Sequence, residues 1–168
     1  MDQDQINAVT PFGLTPGKNT TVRVTTGTAA SSAFAAVVIP SQPAIFATAT
    51  RAAAVNQDGT INSPSNPAKL GSVVSIWTTG IGAVYQPPPD GQVATGAQDY
   101  HCCNVYVFDK PTDDLYAGAA PGMVAGVVQV NFRVPADLSP YLNPAQVSVV
   151  PFGSANGSPN YAMIYVTQ

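Results

Sequence analysis

Glutamate is absent from this chain, and that absence limits the fold more than any motif does. All nine acidic residues among the 168 are Asp, and only six positions are Lys or Arg. Glu, Lys and Arg solubilise the outer face of a helix, so a chain this poor in them has little means of keeping long helices in water. Val and Thr instead suit a pleated sheet, and 14 Gly and 16 Pro supply its turns. The expectation is an all-β protein with a surface of Thr and Ser, long enough to bury a core without metal or disulfide staples.

The same residues exclude several functions. A formal charge of −3 with no cluster of Lys or Arg offers no stripe to neutralise phosphates, so nucleic acid is not an expected partner. Without Glu, carboxylate catalysis would fall to Asp residues that mostly stand in turns. A single histidine, His101, leaves little for a multi-histidine metal site. No apolar run reaches the ~18 residues of a membrane span, and the most apolar stretch, Ala33 to Ile39, has the length of a strand. The start, MDQDQ, lacks the charged-then-apolar pattern of a signal peptide, so the chain is expected to be either cytosolic or a mature or excised part of something exported.

An internal repeat organises the rest. Gln5-Ile6-Asn7, Pro11, Leu14 and Pro16 match Gln129-Val130-Asn131, Pro135, Leu138 and Pro140 at a constant offset of 124. After one added residue Val22-Arg23-Val24 faces Val147-Ser148-Val149, and after two more Phe34-Ala35-Ala36-Val37 faces Tyr161-Ala162-Met163-Ile164. Offsets that drift by a residue or two at turns are what loop insertions produce. Each copy reads as three strands: one ending at a Pro, one of period two, and one apolar.

Between the copies lies a different unit. Ser41 to Phe46 is a proline-marked connector, and Ala52 to Val55 runs into the Asn56-Gln57-Asp58-Gly59-Thr60-Ile61 hairpin, with Gly59 at positive φ. Asn62 to Pro67 is a loop. Gly71 to Gly80 is a strand closing on a glycine turn, and Gln86 to Gly96, with three consecutive prolines, is an extended surface loop. Strand resumes at Asn104 to Phe108, Asp109 to Asp114 turns, and Leu115 to Ala117 is a further short strand. Strands about ten residues apart indicate a β-sandwich. The complete unit is read as 41–168. Residues 1–40 repeat its last third, as the end of a preceding unit or as strands packed on the main one, since three strands alone bury little.

The order QINAVTPF, SQPAIFAT, AAAVNQDGTINSPSNPAKLGSVVSIWTTGIG and LYAGAAPGMVAGVVQVNFRVP resembles the conserved C-terminal domain of large secreted proteins of Solibacter-type acidobacteria. NQDGTINSPSNPA before TTGIG, and LYAGAAPG before VQVNFRVP, are the most specific pieces. More distantly, a glycine before a Val-rich strand that ends in a glycine turn is similar to IPT/TIG immunoglobulin-like domains. The resemblance implies export, a place at the C-terminal end of a multidomain surface or secreted protein, and an immunoglobulin-like fold. It brings no catalytic residue, and the chain departs from it at Asp99-Tyr100-His101-Cys102-Cys103.

Candidate sites are few. Asn56, Asp58 and Thr60 stand at alternate positions as at the start of a calcium loop, but one carboxylate with no following Glu carries too little charge, and the reading is a hairpin turn with no metal site and no cofactor. Cys102 and Cys103 cannot staple distant strands. They are read as two reduced thiols at a strand start, one inward and one outward, with a vicinal or an inter-chain disulfide as the oxidised alternatives. There is no Gly-x-Ser-x-Gly elbow beside His101, so the protein is expected not to be an enzyme. Trp77, on a Val/Ile strand, is expected in the core. Asn19-Thr20-Thr21 and Asn156-Gly157-Ser158 fit the glycosylation triplet, which is frequent by chance.

These readings converge on a secreted or cell-surface structural, adhesive or anchoring module. It would present the loops 62–67 and 86–99, with neighbouring domains, copies of itself or surface polysaccharide as partners. The alternatives are a fibre subunit whose N-terminal half-repeat completes a neighbour's sheet, and a carbohydrate- or calcium-binding module.

Overall fold

A computed structural model describes residues 6–139, 143–154 and 161–168. Seventeen strands and no helix occur among them. Four belong to the N-terminal part: β1 (Asn19–Val22), β2 (Thr25–Thr26), β3 (Ala29–Ala30) and β4 (Phe34–Val37). The body begins with β5 (Ala44–Ile45), β6 (Ala47–Thr48), β7 (Arg51–Ala52), β8 (Ala54–Asn56), β9 (Ala68–Lys69) and β10 (Val73–Thr79). It continues with β11 (Cys103–Val107), β12 (Lys110–Pro111), β13 (Asp113–Ala119), β14 (Val128–Arg133), β15 (Ala145–Pro151), β16 (Ala162–Ile164) and β17 (Val166–Thr167).

Two large sheets form most of the body, with β9 and β17 as a separate pair. One has the order β13-β14-β10-β5, with β8 also paired to β10; the other runs β12-β11-β15-β16-β7-β6. Period-two alternation decides what each strand buries. On β10, Val74, Ile76 and Thr78 are buried while Val73, Ser75, Trp77 and Thr79 are not; β14 buries Val128, Val130 and Phe132. From the other sheet, Val105 and Val107 of β11, Ala145, Val147 and Val149 of β15, and Ala162 and Ile164 of β16 join the same core. Each such Val or Ile contributes about 1.5–3 kcal/mol relative to exposure, which offsets the cost of ordering strands this short.

One run of chain serves both sheets. β7 pairs in parallel with β16 and β8 pairs antiparallel with β10, so the backbone crosses from one layer to the other at Ala53. The crossing is flanked by Ala52 and Ala54, both buried, whose methyl groups need little room between the layers. Gly80 closes β10 at a φ of +75°, and a side chain there would run into the Gln42 carbonyl. Pro111 sits on β12 at the outer end of its sheet, a position where no partner needs its missing N–H.

The loop 62–67 is less a presented surface than expected, because Asn62 is fully buried. Its amide Nδ2 donates to Asn56 Oδ1 at 2.9 Å and to the Tyr165 carbonyl at 2.8 Å, and its Oδ1 accepts the Tyr165 N–H at 2.7 Å. The hairpin 54–62 is thereby tied to the segment where β16 hands over to β17, which lies parallel to β9. No buried side-chain nitrogen or oxygen among the described residues lacks a partner.

The first repeat copy keeps only part of its expected three strands. Residues 6–16 form none, whereas the matched Gln129-Val130-Asn131 lies within β14. It touches the body at other points: Phe12 N–H donates to Asp90 Oδ1 at 2.8 Å, and the Val9 side chain lies where a Cβ on Gly126, itself at a φ of +103°, would fall. The rest is one long hairpin, β1 on β4 with β2 on β3 at its tip. Gln5 and Pro140 lie outside the described residues.

Replacing Asn62 with Ala strands Asn56 Oδ1 and both Tyr165 backbone groups, and is expected to cost about 2–4 kcal/mol. Urea unfolding checks it through a lowered midpoint at unchanged slope.

Candidate functional site

The hairpin β1–β4 is the first place where the molecule departs from the logic of its own core. It forms a two-stranded sheet by itself. Val22 is 54% exposed, Phe34 71%, Val37 65% and Ile39 49%. Their repeat partners fare differently: Val147, Ile164 and Val166 are buried, and only Tyr161, the partner of Phe34, is exposed. The same apolar pattern is thus covered in one copy and bare in the other.

Register sharpens the contrast. In the C-terminal hairpin Val147 lies opposite Ala162 and Ala145 opposite Ile164, which gathers all four on the core face. The matching arrangement would set Val22 opposite Ala35, yet Val22 lies opposite Phe34 and Thr21 opposite Ala35. A one-residue slip moves every side chain of one strand to the other face. β4 therefore turns Ala35 and Val37 away from the side that carries Val22, and both faces of the hairpin display apolar groups.

The second place is the loop end around Asp99 to Cys103. Residues 98–100 run along β13: Ala119 N–H donates to the Gln98 carbonyl at 2.9 Å and Tyr100 N–H to the Ala117 carbonyl at 2.9 Å. Tyr116 latches this edge, its hydroxyl donating to the Ala119 carbonyl at 2.5 Å and accepting the Gln98 N–H at 3.1 Å. Sequence reasoning passed over Tyr116, since nothing in its spacing distinguishes it from other strand tyrosines. His101 then takes a φ of +44°, with its Nδ1 3.6 Å from Asp99 Oδ2.

That turn overturns the expected arrangement of the cysteines. Cys102 precedes β11, so strand alternation does not govern it, and the two sulfurs converge to 3.8 Å rather than facing opposite ways. Both thiols are free, Cys103 buried and Cys102 half-buried. Cys102 Sγ also lies 3.7 Å from the Ala117 carbonyl of the opposite sheet. The hydrogen bond between the two sulfurs holds the Cys102 thiol below its ordinary value despite partial burial; the same hydrogen bond and burial push Cys103 upward. Asp114, exposed near the start of β13 but reaching β11, accepts Val105 N–H at 3.1 Å and Thr112 Oγ1–H at 2.6 Å, and partial burial of its carboxyl raises it.

The remaining sequence candidates separate. Asp58 Oδ1 accepts both the N–H and the hydroxyl of Thr60, while Asn56 Nδ2 donates to Thr60 Oγ1 at 3.0 Å, so the three side chains close their own turn instead of pointing at a common centre. The hydrogen bonds from Thr60 lower the Asp58 pKa. Gly59 takes a φ of +82°, as the hairpin reading requires. Trp77 is a correction: it is half-buried on the outer face of β10, because the inward positions belong to Val74, Ile76 and Thr78, and it lies opposite Gln129. The loop 86–99 is largely exposed and contains no named strand. Asn19 to Thr21 lies within β1, and Asn156 to Ser158 is outside the described residues. Among the described residues no three His, Cys, Asp or Glu groups stand together as a metal would need, and no helix is long and apolar enough to cross a membrane.

Comparisons with family models, with curated proteins and with solved structures gave no match.

Asp114 has a stability consequence. Its carboxyl is raised in the folded protein, so the folded chain holds this proton more tightly than the unfolded one. The penalty is complete above the raised value and fades as pH falls through it toward 3.8. Asp114→Asn keeps an acceptor for Val105 and is expected to remove that dependence. The free-energy difference between variant and wild type, from urea unfolding, should favour the variant more at about pH 7 than at about pH 4.

Proposed function

We propose that this chain is a non-enzymatic structural or anchoring module of a secreted or cell-surface protein, built on an immunoglobulin-like sandwich and joined in series to a second unit of the same kind. The bare apolar hairpin β1–β4 carries this reading. In the body, the matched hairpin β15–β16 is seated between β11 and β7 and covered by the facing sheet. A sequence of the same pattern fits a seat of the same chemistry: the open edge and apolar inner face of another sandwich of the 41–139 kind, on the same polypeptide. The connector supports an ordered joint, since Gln42 N–H donates to the Gly80 carbonyl at 2.8 Å and Phe46 N–H to the Trp77 carbonyl at 2.9 Å.

A second reading, a fibre subunit completed by strand addition between copies, draws on the same two-stranded sheet, whose outer backbone edges pair with no further strand among the described residues.

Solution behaviour separates the two. Alone, the 168-residue chain is expected to remain monomeric across a wide concentration range by light scattering, with protease cutting first within residues 17–40. Particles that grow with concentration and vanish in a Val22→Asp/Val37→Asp variant would replace the modular reading with the fibre. Protection of 17–40 in a monomer would overturn both, by showing that the hairpin already has its partner.

A further inference from the structure

Three features lie outside this reading: the outer sheet face around Trp77, the cleft between residues 7–11 and Asp90, and the thiol pair. The pair is the one whose chemistry is set by its geometry. Positive φ at His101 places Cys102 ahead of its strand, and the Cys102 carbonyl accepts the Phe152 N–H at 2.9 Å, so the residue is held where its sulfur meets that of Cys103. The groups facing the pair are acidic or phenolic: Asp99, Asp114, Tyr100 and Tyr116, with His101 turned to Asp99.

We propose that Cys102 and Cys103 are a reversible dithiol–disulfide couple within one chain, closed by exchange with a small disulfide of the glutathione class. Cys102 is the attacking thiolate, being half-exposed and stabilised by the Cys103 S–H. It attacks one sulfur of the small disulfide, forms a mixed disulfide and expels one thiolate, which takes up a proton. Capping ends the hydrogen bond to Cys102 that, ahead of burial, held the Cys103 proton in place. Cys103 then gives up that proton, attacks the Cys102 sulfur and expels the second thiolate. In sum the two cysteines lose two electrons and two protons, and the small disulfide becomes two thiols.

Buried at 3% exposure, Cys103 can resolve its neighbour but cannot reach a second chain. The ring is strained, because consecutive Cα atoms across a trans peptide stand only ~3.8 Å apart whereas disulfides ordinarily span ~4.4–6.8 Å. Strain of this kind places a disulfide among the easily reduced, switching ones rather than the structural ones. The couple is therefore a redox-responsive site at the base of the long loop, independent of what the hairpin binds.

The test treats the reduced full chain with oxidised glutathione and follows intact mass and free thiols. Wild type is expected to lose two hydrogens, carry no adduct, remain monomeric and recover both thiols under mild dithiol reductant. Cys103→Ser should stop at one glutathionyl group on Cys102, and Cys102→Ser should stay unmodified. Wild type that retains the adduct, becomes cross-linked into dimers or does not react overturns the proposal. The wild-type result decides even if a variant folds poorly.

Discussion

A single apolar layer shared by two sheets sets the terms for everything else in this molecule. Strands with a two-residue period can bury only alternate side chains, and here the apolar ones are Val, Ile, Ala, Cys103 and Phe132 from seven of the longer strands, with Thr78 as the one polar member of β10. The hydroxyl of Thr78 is admitted because it donates to the Ala44 carbonyl at 2.9 Å. Asn62 is admitted on the same condition. Polar groups enter this core only as connectors, each fastening a segment that lacks enough apolar surface to hold itself.

Against that background the N-terminal hairpin stands out by having the composition of a core element without a core. Its Val, Phe and Ile side chains would each gain from burial, and its one-residue shift against the C-terminal hairpin distributes them over two faces. A weakly specified register is what a strand pair shows when no packed face selects among alternatives. In β15 and β16 the selecting face is present, and the register follows from it.

Much of the architecture was legible in the sequence because it rests on local chemistry. The alternation from Val73 to Thr79, the glycine turns at Gly59 and Gly80, and the proline loop all express preferences of the residues themselves. What escaped depended on tertiary context. Trp77 was expected inside on the strength of its ring, but strand parity outranks side-chain size. The opposed cysteines were inferred from strand geometry, which does not apply one residue before the strand begins. Nothing local distinguishes Asn62 from its neighbours in a turn-rich run, since its partners at Tyr165 are about a hundred residues away. The first third of the repeat likewise carries the right letters without the neighbouring strand that would make them pair.

The parallel pairing of β17 with β9 has a mechanical meaning. Ala68 N–H donates to the Tyr165 carbonyl and Leu70 N–H to that of Thr167, each at 2.8 Å, with the amide of Asn62 bracing Tyr165 from the side. A pull on residue 168 along the strand loads these bonds together, in shear, instead of opening them one after another from an end. Tension delivered there reaches the core through several bonds at once, and the segment holds as a rivet does rather than as a zipper.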